Sequence, residues 1–181
     1  MVREAADHPS ADKLYVLKLD LGEPSLRTVV AGVKPYYTTS ELVGRRIVLF
    51  ANLEPRTIRR ITSQGMVLAA DDGARAHLLE PPAEAGPGAP VTRAPVGSPT
   101  VGYADFERTP IILGRVVRSS AGAVEIDVGA RSVRALGDWP VGTTVVVRVL
   151  PGEPAEGEVL ATGPGAPVRT AADLPPGTRV R

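Results

Sequence analysis

Nineteen glycines and eighteen prolines break the 181 residues into short runs. No long window keeps apolar residues at the i, i+3, i+4, i+7 spacing of an amphipathic helix. Between the breaks Val and Thr are frequent, and apolar side chains alternate with polar ones. A chain patterned this way is all-β, built as small barrels or a sandwich. Its length suffices for one large domain or two small ones, with a real core.

Cysteine is absent, which excludes disulfides, thiolate metal sites and thiol nucleophiles and fits a reducing cytoplasm. No stretch approaches the roughly 20 apolar residues of a membrane helix. The start, Met1-Val2-Arg3-Glu4-Ala5-Ala6-Asp7, lacks the apolar core of a signal peptide. A cytoplasmic protein is therefore expected, with no membrane association. With a net charge of +1, any nucleic-acid site has to come from local clustering of Arg and Lys.

Residues 14–21 read as a strand with Leu17, Leu19 and Leu21 on one face and Lys18 and Asp20 on the other. Arg27 to Val33 reads as a second strand. Thr38 and Glu41 have capping-box spacing before Gly44, predicting one helical turn. Arg46–Ala51 and Gly65–Ala70 give two more strands. Asp71-Asp72-Gly73 then turns the chain into a fifth at Ala76–Leu79. Five strands and one short helix are the content of an oligonucleotide-binding (OB) barrel over residues 1–92.

Residues 93–110 read as a Pro- and Gly-rich linker. Ile111–Val117, Ala123–Val128, Ser132–Leu136 and Thr143–Leu150 read as strands of a second small β-barrel-like unit over residues 111–162, which follows or interrupts the first. Residues 163–181 read as a tail that either returns to the first domain or simply ends the second unit. The segment Gly86-Pro87-Gly88-Ala89-Pro90-Val91 recurs as Gly163-Pro164-Gly165-Ala166-Pro167-Val168, a coincidence of shared loop chemistry rather than a duplicated domain.

Arg45, Arg46, Arg56, Arg59 and Arg60 face a single acid, Glu54, between residues 45 and 60, so this connection is strongly cationic. It is either a phosphate-binding surface or a solvated basic loop. Asn52, Ser63 and Gln64 both donate and accept hydrogen bonds, as reading a base edge or a ribose 2′-hydroxyl requires. Asn52 equally suits an Asx turn. Met66 either packs under an unstacked base or belongs to the core. Lys13 and Lys34 extend the cationic track or are simply solvated. Only Tyr36-Tyr37 offers adjacent aromatic faces for stacking. His8 before Pro9 suits a turn better than a contact.

Catalysis finds little footing. His8 and His77 are the only histidines, and no HxxxH or Cys pair marks a metal site. Asp71-Asp72 suits a turn better than a metal. No enzyme activity, metal or cofactor is expected.

Three blocks carry a resemblance. They are His8-Pro9-Ser10-Ala11-Asp12-Lys13-Leu14; Val30-Ala31-Gly32 with Tyr36-Tyr37 and Glu41-Leu42-Val43-Gly44; and Ala51-Asn52-Leu53-Glu54-Pro55-Arg56 through Ser63-Gln64-Gly65-Met66 to Leu68-Ala69-Ala70. Their order and spacing are similar to the tRNA-binding domain at the C-terminus of many bacterial methionyl-tRNA synthetases and in free-standing structure-specific tRNA-binding proteins. The resemblance covers less than half of the chain.

It implies an OB fold, non-catalytic binding of tRNA by shape and phosphate backbone, partnership with an aminoacyl-tRNA synthetase, and a homodimer. It points to Lys13, Lys34, Asn52, Arg56, Arg59, Arg60, Ser63, Gln64 and Met66 as the RNA-binding residues. Rival readings of the same barrel are a protein-interaction or dimerisation module docking a synthetase, and a chaperone-like peptide binder.

Family members open with a full strand ending in Asp-Leu-Arg-Val-Gly, where this chain has Met1-Val2-Arg3-Glu4. The resemblance thus predicts a truncated first strand and an open barrel edge. Asp173 to Arg181 looks like the family's own C-terminus, although Gly86 to Val91 also fits that place.

Overall fold

Alternation along the chain becomes strands with one buried face. The computed structural model describes residues 1–92, 99–152, 154–162 and 166–181. Its first sheet is an antiparallel meander of β1 (Val2–Asp7), β2 (Tyr15–Leu19) and β3 (Arg27–Ala31). In β2, Tyr15, Leu17 and Leu19 point inward, as the alternation predicts.

Helix α1 (Thr39–Leu42) follows β3, capped as expected. The Thr38 hydroxyl accepts from the Glu41 backbone N–H, and the Glu41 carboxylate accepts from the Thr38 N–H. The chain then forms β4 (Leu49–Phe50), β5 (Arg56–Ile58), β6 (Ile61–Ser63), β7 (Met66–Val67), β8 (Ala69–Asp71) and β9 (Ala76–Glu80). β4 pairs with β7. Gln64 N–H donates to Thr28 in β3, and Val2 exchanges backbone hydrogen bonds with Gly44 and Arg45. These links close a ring of β1, β2, β3, the segment leading into β7, and the segment leading into β4.

The fold is the expected OB barrel, but two strands play other parts than the sequence suggested. β1 occupies the edge beside β2 that the family resemblance predicted to be open, pairing from Val2↔Leu19 to Asp7↔Tyr15. Only Val2 of its six residues is buried, so the alternation that reveals strands is missing there. β9, counted as the barrel's fifth strand, lies outside the ring and pairs with β8.

Beyond the first unit, α2 (Tyr103–Glu107) forms inside the stretch expected to be linker. Then come β10 (Ile111–Ser120), β11 (Ala123–Asp127), β12 (Ser132–Leu136), β13 (Thr144–Val149) and β14 (Glu156–Val159). β10 pairs with β11, β11 with β12, β12 in parallel with β14, β14 with β13, and β13 with β10. That is a closed second five-stranded barrel, around Val124, Ile126, Val145 and Trp139. β14, which completes it, was not evident from the sequence.

After β14 the chain runs back. β15 (Arg169–Thr170) pairs with β9, and β16 (Arg179–Val180) pairs with both β8 and β10. A shared core joins Val48, Leu68 and Leu79 of the first unit to Leu113 and Val146 of the second barrel and Val168 and Val180 of the tail. Burying these side chains together contributes about 1.5–3 kcal/mol each. The second copy of the Gly-Pro-Gly echo, residues 163–165, lies outside the described residues.

Among the described residues, no helix is long and apolar enough to cross a membrane.

Candidate nucleic-acid interface

The cationic connection is not one surface. Arg45 binds Glu80 and lies 5.2 Å from the centre of the Tyr37 ring. Arg46 donates to the backbone oxygens of Ala83 and Ala85. Arg45 therefore ties the barrel to the end of β9, and Arg46 ties it to the segment beyond.

Arg56, Arg59 and Arg60 instead sit exposed on a hairpin formed by β5 and β6, with Ile58↔Ile61 as its last pair. No described residue forms an ion pair with any of the three. Arg59 and Arg60 make the two-residue turn with φ of 47° and 75°. Both values fall in the left-handed region, where a side chain costs roughly 1–2 kcal/mol per residue. Asn-Gly is the usual occupant of such a turn.

The stalk of this hairpin is anchored from below. His8 is 5% exposed. Its Nδ1 accepts from the Ser10 N–H at 3.2 Å, which leaves the proton on Nε2, and Nε2 donates to the Ile58 carbonyl at 3.3 Å. The turn-forming part expected of His8 thus extends to the base of the arginine tip.

The polar candidates divide by what they already hold. Ser63 is buried, and its hydroxyl accepts from Val30 N–H and donates to the Gly65 carbonyl, both at 3.0 Å. The hydroxyl is fully occupied in joining β6 to β3. Gly65 follows with φ of 149°, and a Cβ there would stand 2.9 Å from the Phe50 oxygen, so the turn requires glycine.

Gln64 is exposed, and its Oε1 accepts from Thr28 N–H at 3.2 Å, which fixes the amide plane. Asn52 donates from Nδ2 to Pro99 at 2.9 Å, and its carbonyl accepts from Val101. That is a structural tie to the chain leading into the second unit, where the residue type had suggested a local Asx turn.

Met66 pairs opposite Phe50 in β7 and packs at the edge of the shared core. Lys13 is exposed in the turn before β2. Lys34 forms an ion pair with Asp7 at 2.8 Å, which raises its pKa above the usual lysine value. Of the Tyr36-Tyr37 pair, Tyr36 is half-buried, while Tyr37 is buried under Arg45 and Arg75 and its hydroxyl accepts from Leu78 N–H.

No sequence pattern singled out Arg27. It lies at the start of β3 in an open groove of about 270 Å³ with Glu23, Leu26, Asn52, Gln64 and Thr100. Its guanidinium is held by the Glu23 carboxylate and the Ala51 carbonyl. Four separate stretches of chain build this groove, so no local motif announces it.

Residues 1–90 match the family model described as "Putative tRNA binding domain". This first unit belongs to that family.

Its curated relatives include the methionine–tRNA ligase of Pyrococcus abyssi, 58% identical over 88 residues, which are 49% of this chain and 12% of that protein. The methionine–tRNA ligase of Pyrococcus furiosus is 56% identical over 88 residues, the same shares of the two chains. The cytoplasmic methionine–tRNA ligase of Arabidopsis thaliana is 44% identical over 91 residues, 49% of this chain and 11% of that one. The chain thus spans about an eighth of the length of the relatives it matches.

Among solved structures, the C-terminal domain of Plasmodium vivax p43 superposes with a TM-score of 0.55 at 21% identity, covering 93% of this chain and 92% of that one. The fold is therefore shared across both units and not only across residues 1–90.

Proposed function

We propose that the chain binds tRNA by its folded shape and phosphate backbone, without catalysis, as a cytoplasmic accessory of methionyl-tRNA synthetase or as a free tRNA-binding factor. The observation that carries this reading is the β5–β6 hairpin, which holds Arg56, Arg59 and Arg60 outward with no acidic partner among the described residues. Guanidinium groups match phosphate oxygens in a two-pronged geometry, and phosphates supply most of the affinity of such sites. Lys13 enlarges the positive surface as a further exposed cation. Family membership of residues 1–90 supports tRNA as the nucleic acid.

The alternative of a solvated basic loop is weakened by the turn itself. Solubility alone needs no left-handed arginines, because a lysine or arginine one residue away on β5 or β6 would serve without strain.

A gel-shift titration of the full chain against total tRNA tests the proposal, run beside the Arg56→Ala/Arg59→Ala/Arg60→Ala variant. The parent should shift the tRNA and the variant should require at least tenfold more protein. Equal binding by the two would show the assigned surface to be wrong.

The homodimer implied by the family resemblance belongs to this proposal in a restricted form. Val48, Leu68 and Ala70 of the first barrel are covered by the chain's own second unit and tail. A pair of copies has to meet on another face, and light scattering of the full chain would register it.

A further inference from the structure

The groove beside Arg27 has a chemistry unlike that of the arginine hairpin. Glu23 neutralises Arg27 with a paired contact to Nε and Nη2, and Asn52 and Gln64 carry no charge. With no surplus positive charge the groove is poorly suited to phosphate. Its volume of about 270 Å³ lies just below the ~300–1,000 Å³ of pockets for drug-sized molecules and has room for one flat heterocycle.

Three features favour a nucleobase. The Arg27 guanidinium is fixed at its edges by Glu23 and the Ala51 carbonyl, and its side chain is 20% exposed. A planar cation pinned at its edges offers its face for stacking. Gln64 accepts from Thr28 through Oε1, which leaves its Nε2 donors for an acceptor on a base edge. Leu26, 40% exposed, adds an apolar surface. Tyr37, which could otherwise stack a base, is buried in the core.

We infer that this groove takes one unpaired nucleobase of the RNA whose backbone lies against the hairpin. The inference rests on the tRNA-binding reading above. Gln64 follows β6, four residues along the stalk from Arg60, a distance of roughly 13 Å at ~3.3 Å per residue. A single strand can therefore touch tip and groove together. Thr100 supplies part of the wall, held there by its neighbours Pro99 and Val101, which bond to Asn52 and Glu54. The chain leading into the second unit is in this way part of the RNA site.

Two RNAs with equal numbers of phosphates separate base from backbone: a blunt duplex, and a shorter duplex bearing a four-nucleotide single-stranded 3′ end. Anisotropy titrations of the full chain should show about tenfold tighter binding of the second, the scale of one stacked and hydrogen-bonded base. Gln64→Ala should abolish this preference while leaving the salt dependence of binding unchanged, because a neutral contact releases no counterion. Gln64→Glu, which keeps the acceptor for Thr28 and removes the donors, should abolish it as well. Equal affinity of the parent for the two RNAs, or a preference that survives both substitutions, overturns the base pocket while leaving backbone binding intact. Failure of the parent to bind either RNA or tRNA overturns the tRNA-binding reading itself.

Discussion

The Nε2 of His8 lies 3.3 Å from the carbonyl oxygen of Ile58, fifty residues away in sequence and next to the first arginine of the hairpin tip. A buried ring held at both nitrogens fixes where the tip stands relative to the barrel. His8→Gln can place a donor near the Nε2 position, whereas His8→Asn reaches only the Nδ1 position and leaves the Ile58 carbonyl without its partner. His8→Asn should weaken tRNA binding several-fold and His8→Gln should restore most of it. If both variants bound tRNA like the parent, the tie to Ile58 would have no part in presenting the arginines.

The left-handed turn makes a prediction of opposite sign for stability and binding. Arg59→Asn with Arg60→Gly relieves two strained positions and should stabilise the fold by about 1 kcal/mol. That corresponds to a rise in Tm of roughly 2–4 °C for a chain of this size. Affinity for tRNA should fall at least tenfold. Differential scanning calorimetry and filter binding on one preparation would check both halves.

How much of this could be read from the sequence depended on whether the signal was local. Thr38 and Glu41 announced their helix because a capping box lies within four residues, and Asp71-Asp72-Gly73 announced its hairpin because the carboxylates accept from the N–H groups just beyond them. The β5–β6 hairpin stayed hidden, since Arg59-Arg60 is the reverse of the residue choice such turns favour. β15 and β16 were hidden for a different reason. Each is two residues long and gains its order from β9, and from β8 and β10, far away in the chain. The site divided the same way: Arg56, Arg59, Arg60 and Gln64 were legible as exposed polar chemistry. Ser63 and Asn52 spend their hydrogen bonds on Val30, Gly65 and Pro99, which only the assembled fold discloses.

Acid should loosen the β8–β9 turn. Asp72 accepts from His77 and from the N–H groups of Arg75 and Ala74, and these contacts hold its pKa down to about 2, from 3.8. A carboxyl depressed on folding adds stability above its unfolded pKa and loses it as pH falls through the folded one. The contribution is therefore full above about pH 4 and gone near pH 2. Urea denaturation of the parent and Asp72→Ala should show a gap at pH 5 that narrows steadily toward pH 2.5. A gap of constant size would refute the linkage.

The shared core predicts that the two units unfold together. Leu113 is 1% exposed at the junction. Leu113→Ala should cost ~2–5 kcal/mol, a fall in Tm of roughly 5–15 °C. Trp139, the single tryptophan, reports on the second barrel, and far-UV circular dichroism reports on both. The two melting curves should coincide in the parent and move together in the variant. Separated curves would mean that the barrels are only tethered.

Counterion release tests the central claim most directly. The affinity of the full chain for tRNA is measured from 50 to 200 mM salt, for the parent and for Arg56→Ala/Arg59→Ala/Arg60→Ala. Each phosphate contact contributes ~0.7–0.9 to the slope of log affinity against log salt. The account predicts a steep parent slope that falls by about 2–3 in the variant. An unchanged slope would contradict it, because the three hairpin arginines would then touch no phosphate.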